Sequence, residues 1–97
     1  MTIMVDELQR WPTRIRRFRA GSCHLTVDGS LDELHEFARR LGLRKAWFQN
    51  HPLAPHYDLT VTKREQALSL GAVFVPGREQ ARKRMAARAA ALTTEAT

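Results

Sequence analysis

Two histidines and three aspartates stand where they could share a face. His24 and Asp28 bracket one alternating stretch, His56 and Asp58 open a second, and Asp6 closes a short third one. Each histidine stands six residues before a polar residue suited to cap a helix, Ser30 in the first case and Thr62 in the second. Side chains two apart on a strand point the same way. If the stretches are neighbours in one sheet, His24 or Asp28 can approach His56 or Asp58, and Asp6 can join from the side. Imidazole nitrogens and carboxylates suit a borderline divalent metal such as zinc or manganese, and the same groups perform acid and base catalysis. His24, His56, Asp58 and Asp6 are therefore the candidate metal ligands, and His24, His56, Asp58 and His35 the candidate catalytic groups. The spacing lacks the two-histidine helical signature and the paired cysteines that mark metal sites outright. The plainer alternative is histidines that hydrogen-bond on a sheet face. For His35, beside Leu34 on a helix, that alternative is a packed ring at the core edge.

A second set of residues could hold phosphate. Lys63 and Arg64 open a helix whose amide groups already favour an anion. Arg14, Arg16 and Arg17 cluster in a loop near Trp11, whose indole could stack on a base while the arginines hold phosphates. Arg78, Arg82, Lys83, Arg84 and Arg88 form another basic cluster near the C-terminus. A solvated surface explains such clusters equally well.

These residues need strands and helices to place them. Thr2 to Asp6 alternates as a short strand. Trp11 to Gly21 has no clean period and reads as a loop, with an edge strand near Ile15 to Phe18. His24 to Asp28 alternates again, Leu25 and Val27 inward and His24, Thr26 and Asp28 outward. Ser30-Leu31-Asp32-Glu33 is a capping box that opens a helix, with Leu34, Phe37, Ala38 and Leu41 as its buried stripe and Gly42 as its stop. Residues 43–55 read as a long loop with one helical turn. His56 to Val61 is the next strand, with Tyr57 and Leu59 inward. Thr62-Lys63-Arg64-Glu65 reads as a second capping box, opening a helix with Ala67, Leu68 and Leu70 that ends at Gly71. Ala72 to Val75 is an apolar run fit for a buried strand. A basic helix from Arg78 to Leu92 closes the chain, with Ala81, Met85, Ala89 and Leu92 as its apolar stripe. The alternation implies a small α/β domain over 1–92, a sheet of three to five strands with two or three packed helices, and a frayed tail at 93–97.

Composition sets the outer bounds. Over 97 residues, 43% are hydrophobic and 27% charged, the balance of a globular domain rather than a disordered segment. No apolar run is long enough to span a bilayer and no signal peptide opens the chain, so a cytoplasmic, non-membrane protein is expected. Cys23 has no partner for an intrachain disulfide and reads as a small buried hydrophobe. Sixteen Lys and Arg against ten Asp and Glu leave a charge of +6, which suits a polyanionic partner.

A set of ordered motifs is shared with a known family. Asp6, Arg10-Trp11-Pro12, His24-Leu25, Leu31-Asp32-Glu33-Leu34-His35 with Phe37-Ala38 and Leu41-Gly42-Leu43, Phe48-Gln49, His56-Tyr57-Asp58-Leu59 and Gly71-Ala72 span nearly the whole chain. Together they resemble a family of short bacterial and phage proteins known as a domain of unknown function, number forty thirty-one. The resemblance implies no activity. Residues 50–55 make a longer step between Phe48-Gln49 and His56 than the family pattern has, so His51 gains no role from it.

Two functional readings follow. One is a nucleotide- or nucleic-acid-associated protein with a hydrolase-like His/Asp site and a divalent metal. The other is a non-catalytic accessory protein that docks on nucleic acid or an acidic protein surface, with self-association through the alanine-rich helix as a further option.

Overall fold

The computed structural model describes residues 2–96, with the side chains of 93–96 left aside. Four strands form one mixed sheet: β1 (Ile3–Val5), β2 (Ser22–Val27), β3 (Tyr57–Thr60) and β4 (Val73–Phe74), in the order β3-β2-β1-β4. β2 runs antiparallel to both of its neighbours, and β4 pairs with β1 in parallel. Three helices accompany the sheet: α1 (Leu31–Arg40), α2 (Val61–Ser69) and α3 (Gly77–Ala96). This is the small α/β architecture that the alternation of elements implies. The expected edge strand near Ile15 is instead a 3-10 turn, Arg16–Phe18, and the helical turn in the long loop is Lys45–Trp47.

Alternation along β2 and β3 divides the sheet into an apolar and a polar face. Cys23, Leu25, Tyr57, Leu59 and Val5 bury the apolar side under Leu34, Phe37, Ala38 and Leu41 of the α1 segment and Ala67 of α2. Burial at Leu25, Leu34 and Leu59 is complete. The predicted stripe of α1 is therefore the core stripe. On α2 only Ala67 is buried, while Leu68 and Leu70 face outward. β4 also differs from expectation: Val73 and Phe74, on a two-residue strand at the sheet edge, are about half exposed, with the Arg64 guanidinium 5.6 Å from the Phe74 ring centre.

The caps explain the helix boundaries. Ser30 Oγ accepts from the Glu33 amide at 3.3 Å and donates to the Glu33 carboxylate at 3.1 Å, so α1 begins where the capping box places it. α2 begins two residues before its predicted start. Its cap is Thr60, whose Oγ1 accepts from the Lys63 amide at 3.1 Å, rather than Thr62. Both threonines suit the role, and strand pairing decides between them: Thr60 is the last residue of β3, opposite Ser22. Gly42 and Gly71 end α1 and α2 at φ of 79° and 109°, conformations that side chains resist.

α3 lies mostly free of the sheet. Gln80 ties its start to the polar face: its Oε1 accepts from Thr26 Oγ1 at 2.7 Å and its Nε2 donates to the Val75 carbonyl at 2.8 Å. The Gly77 amide donates to Glu7 Oε1 at 2.9 Å. Beyond this first part the intended apolar stripe is uncovered, with Met85 72% and Leu92 60% exposed. The helix continues to Ala96, and Thr97 of the expected tail lies outside the described residues. Among the described residues no helix is long and apolar enough to cross a membrane.

Candidate functional site

The register of β2 against β3 sets the site. His24 stands directly opposite Asp58, on the polar face. His56 immediately precedes β3 and pairs with Gln49 of the long loop through an isolated bridge. The two imidazoles meet edge to face with ring centroids 4.8 Å apart. His24, His56 and Asp58 each present one ligand atom within 4.8 Å of the others.

Each of the three has its second polar atom tied elsewhere. His24 Nδ1 lies 2.7 Å from Asp6 Oδ2, while the His24 amide donates to Asp6 Oδ1 at 2.7 Å. His56 Nδ1 lies 2.8 Å from the Ala54 carbonyl. A carboxylate and a carbonyl only accept, so in both rings Nδ1 carries the proton. Nε2 is then the free lone pair in each neutral ring. Gln49 Nε2 donates to Asp58 Oδ2, which leaves Asp58 Oδ1 turned toward the histidines. The His56 Nε2 to Asp58 Oδ1 distance is 3.5 Å and that from His24 Nε2 is 4.0 Å.

Three electron-rich atoms thus converge with no proton between them when both rings are neutral. A cation, either an imidazolium or a metal ion, suits that arrangement. The Asp6 hydrogen bond, offset in part by burial, raises the His24 pKa above its ordinary value, which favours the imidazolium. A zinc ion holding ligands at ~2.1 Å with tetrahedral angles sets them about 3.4 Å apart. The His56–Asp58 pair is at that spacing, and His24 Nε2 stands slightly farther off, 4.0 Å from Asp58 Oδ1. Asp6, the Ala54 carbonyl and Gln49 have the places that outer partners occupy around metal ligands, fixing tautomer and orientation.

The remaining sequence candidates divide by position. Asp6 stands behind His24 rather than beside Asp58. Asp28 lies away from the triad, where its Oδ1 accepts from the Thr2 amide at 2.6 Å. His35 is on the other side of the sheet, where its Nδ1 and Tyr57 Oη share a hydrogen bond of 2.8 Å and its ring packs on Phe48. Trp11 is exposed, with its ring centroid 6.4 Å from that of His24. Arg64 donates to the Asp6 carbonyl at 3.2 Å, so it supports the loop that carries Asp6. Lys63 Nζ donates to the Leu41 carbonyl. Arg14 and Arg16 are exposed on the loop, while Arg17 lies over the rings of Phe18 and Trp47 at 5.1 and 5.0 Å. Cys23 is buried, and burial pushes its thiol up to about 12, the mark of an unreactive core residue.

Sequence reasoning missed Gln49 and the Ala54 carbonyl, gave His51 no role and placed Arg84 only within a basic cluster. The two histidines of the triad line a cleft of about 340 Å³ together with Asp6, His51, Gln80 and Arg84, while Asp58 lies outside that lining. Gln49 was visible in the Phe48-Gln49 motif, but its reach to Asp58 depends on the loop folding back along β3. Arg84 arrives from α3, whose docking by Gln80 leaves no periodic signal.

The family described as Protein of unknown function (DUF4031) matches residues 3–88, which include every member of the triad and its supporting residues. No curated protein and no solved structure matches the chain.

Proposed function

The chain belongs to the DUF4031 family, a protein family of unknown function, and from the geometry of its polar sheet face we propose a divalent-metal-dependent, hydrolase-like activity on a phosphate ester. The observation that carries this reading is the convergence of His24 Nε2, His56 Nε2 and Asp58 Oδ1, each oriented by a separate outer partner. Two histidines and one carboxylate leave open positions on zinc or manganese. An ion held there by His24, His56 and Asp58 would polarise a phosphoryl oxygen and lower the pKa of a bound water. The chain's own groups do the rest: Asp6 and Gln49 hold the ligands in place, and Arg84 brings positive charge to the cleft that receives the phosphate. The site faces solvent and the chain carries +6, in keeping with a cytoplasmic nucleotide or nucleic-acid substrate.

The test is a titration of Zn²⁺ and Mn²⁺ followed by calorimetry, with metal-dependent cleavage of bis(p-nitrophenyl) phosphate as the activity assay. One ion should bind per chain, and His56→Ala and Asp58→Asn should each abolish both binding and turnover. Absence of saturable binding, or binding unchanged in both variants, would sink the reading.

A second reading has its own observation. α3 carries Arg78, Arg82, Lys83 and Arg88 on a helix that stands mostly exposed, next to uncovered Met85 and Leu92. Such a surface suits docking on a nucleic-acid backbone without catalysis. Binding of a short DNA duplex should then fall steeply as salt rises from 50 to 200 mM, by roughly tenfold or more if several phosphates are engaged. A flat salt profile in electrophoretic or anisotropy assays would remove this reading, as would affinity unchanged by reversing the four charges.

A further inference from the structure

A second cavity of about 340 Å³ adjoins the triad through Asp58, which lines it together with Gln49, the donor that holds Asp58. Its walls are Ile15, Phe18, Leu43 and Trp47, with Arg17, Thr60 and Lys63 as further polar lining. Its aromatic part comes from two segments with no sheet role, the 3-10 turns Arg16–Phe18 and Lys45–Trp47, which bring two rings to one place beside Asp58 and Thr60 of β3. The Arg17 guanidinium lies over both rings, 5.1 Å from the centre of Phe18 and 5.0 Å from that of Trp47. Trp47 remains 40% exposed and Ile15 48%, an apolar group left uncovered beside cations. Cavities of this size, mostly apolar with a few convergent polar groups, are those that take small organic ligands.

We propose that this cavity is a nucleobase subsite, so that a nucleotide unit binds with its base against Trp47, Phe18 and Arg17 and its phosphate at the His24–His56–Asp58 triad. The placement of the phosphate rests on the metal reading above. The base site stands on the cavity itself. Aromatic faces and a guanidinium plane are the groups on which bases stack, and they tolerate any base because each has a π face. Gln49, Thr60 and Asp58 add hydrogen-bonding groups along the same wall, and Arg17 and Lys63 add positive charge complementary to an anionic ligand. The shared Asp58 puts the two subsites side by side, as one nucleotide requires. An aliphatic ester would gain nothing from the stacked arginine, and inorganic phosphate would leave the cavity empty.

The proposal is tested by calorimetry on the full chain, with and without Mn²⁺, using adenosine monophosphate, a short single-stranded DNA and inorganic phosphate. Either nucleotide ligand should bind more tightly than inorganic phosphate. Trp47→Ala should weaken nucleotide binding by about tenfold or more, Arg17→Ala should weaken it in the same direction, and Trp47→Phe should restore most of the affinity. Mn²⁺ binding should be unchanged in all three, and phosphate binding unchanged in both Trp47 variants. Tight binding of the monophosphate identifies a free nucleotide as ligand, and binding of the strand alone with the same Trp47 dependence assigns the cavity to a strand residue. Nucleotide affinity equal to that of phosphate, or indifferent to Trp47→Ala, overturns the proposal whatever the metal titration shows. Trp47-dependent binding of nucleotide without any metal binding keeps the base subsite and removes the metal reading instead.

Discussion

His24 is the residue whose charge the site has to manage, and Asp6 does most of it. Its hydrogen bond to Nδ1 is the largest cause of the raised His24 pKa, with burial opposing it and the charges of Asp6 and Asp58 adding to it. A proton on Nε2 competes with a metal, so metal affinity should fall as pH drops through the raised value. In Asp6→Asn the His24 ring should titrate closer to 6.5, as followed by NMR of its imidazole protons. The same variant should bind Zn²⁺ about 10- to 100-fold more weakly, the usual cost of losing an outer partner. The pair also links stability to pH. Because the folded value is raised, its contribution is fully present below about 6.5 and fades as pH rises through the folded value. The stability gap between wild type and Asp6→Asn should therefore narrow toward alkaline pH in urea titrations. An unshifted His24 in the variant would show that Asp6 does not govern the ring.

At the scale of elements, two threonines compete for one helix start. Thr60 caps α2 through the Lys63 amide, while Thr62 sits within the first turn with its side chain exposed. Thr60→Ala should cost about 1 kcal/mol in chemical denaturation. Thr62→Ala should change stability by less than about 0.5 kcal/mol, as exposed substitutions usually do. Equal losses would place the cap wrongly. The sequence made the existence of α2 legible through the Thr62-Lys63-Arg64-Glu65 capping-box pattern, and that pattern placed the start at Thr62. The structure starts the helix two residues earlier, where Thr60 ends β3 against β2. The matched offset of each histidine from its cap thereby disappears: six residues separate His24 from Ser30, but four separate His56 from Thr60. The histidines meet because β2 and β3 run antiparallel in a register that opposes His24 to Asp58, and the repeat has no part in it.

For the whole molecule, the core lies on one face of the sheet and the candidate chemistry on the other. Leu59 is fully buried against α1 and α2, so Leu59→Ala should destabilise the fold by about 2–5 kcal/mol. Met85 stands on the uncovered part of α3, and Met85→Ser should alter stability by no more than about 0.5 kcal/mol. Thermal unfolding of the two variants checks both. A large loss at Met85 would mean that α3 packs on the domain or on another copy. Separation of core from site also means that substitutions at His56 or Asp58 can be read as functional changes, since neither side chain belongs to the buried cluster.

The sequence by itself determined the α/β class, the buried stripe of α1, the inward set Leu25, Tyr57 and Leu59, and the glycine stops, because each follows from periodicity or from the conformational demands of a few neighbouring residues. It also singled out His24, His56 and Asp58, which the structure brings together. Tertiary structure decided which partners they have. His35 lies beyond the sheet because helix packing took its face inward, Asp6 became the support of His24 rather than its equal, and Gln49 and the Ala54 carbonyl entered the site through loop backbone that carries no period. Distances between residues far apart in the chain depend on strand register and loop path, which local spacing does not encode.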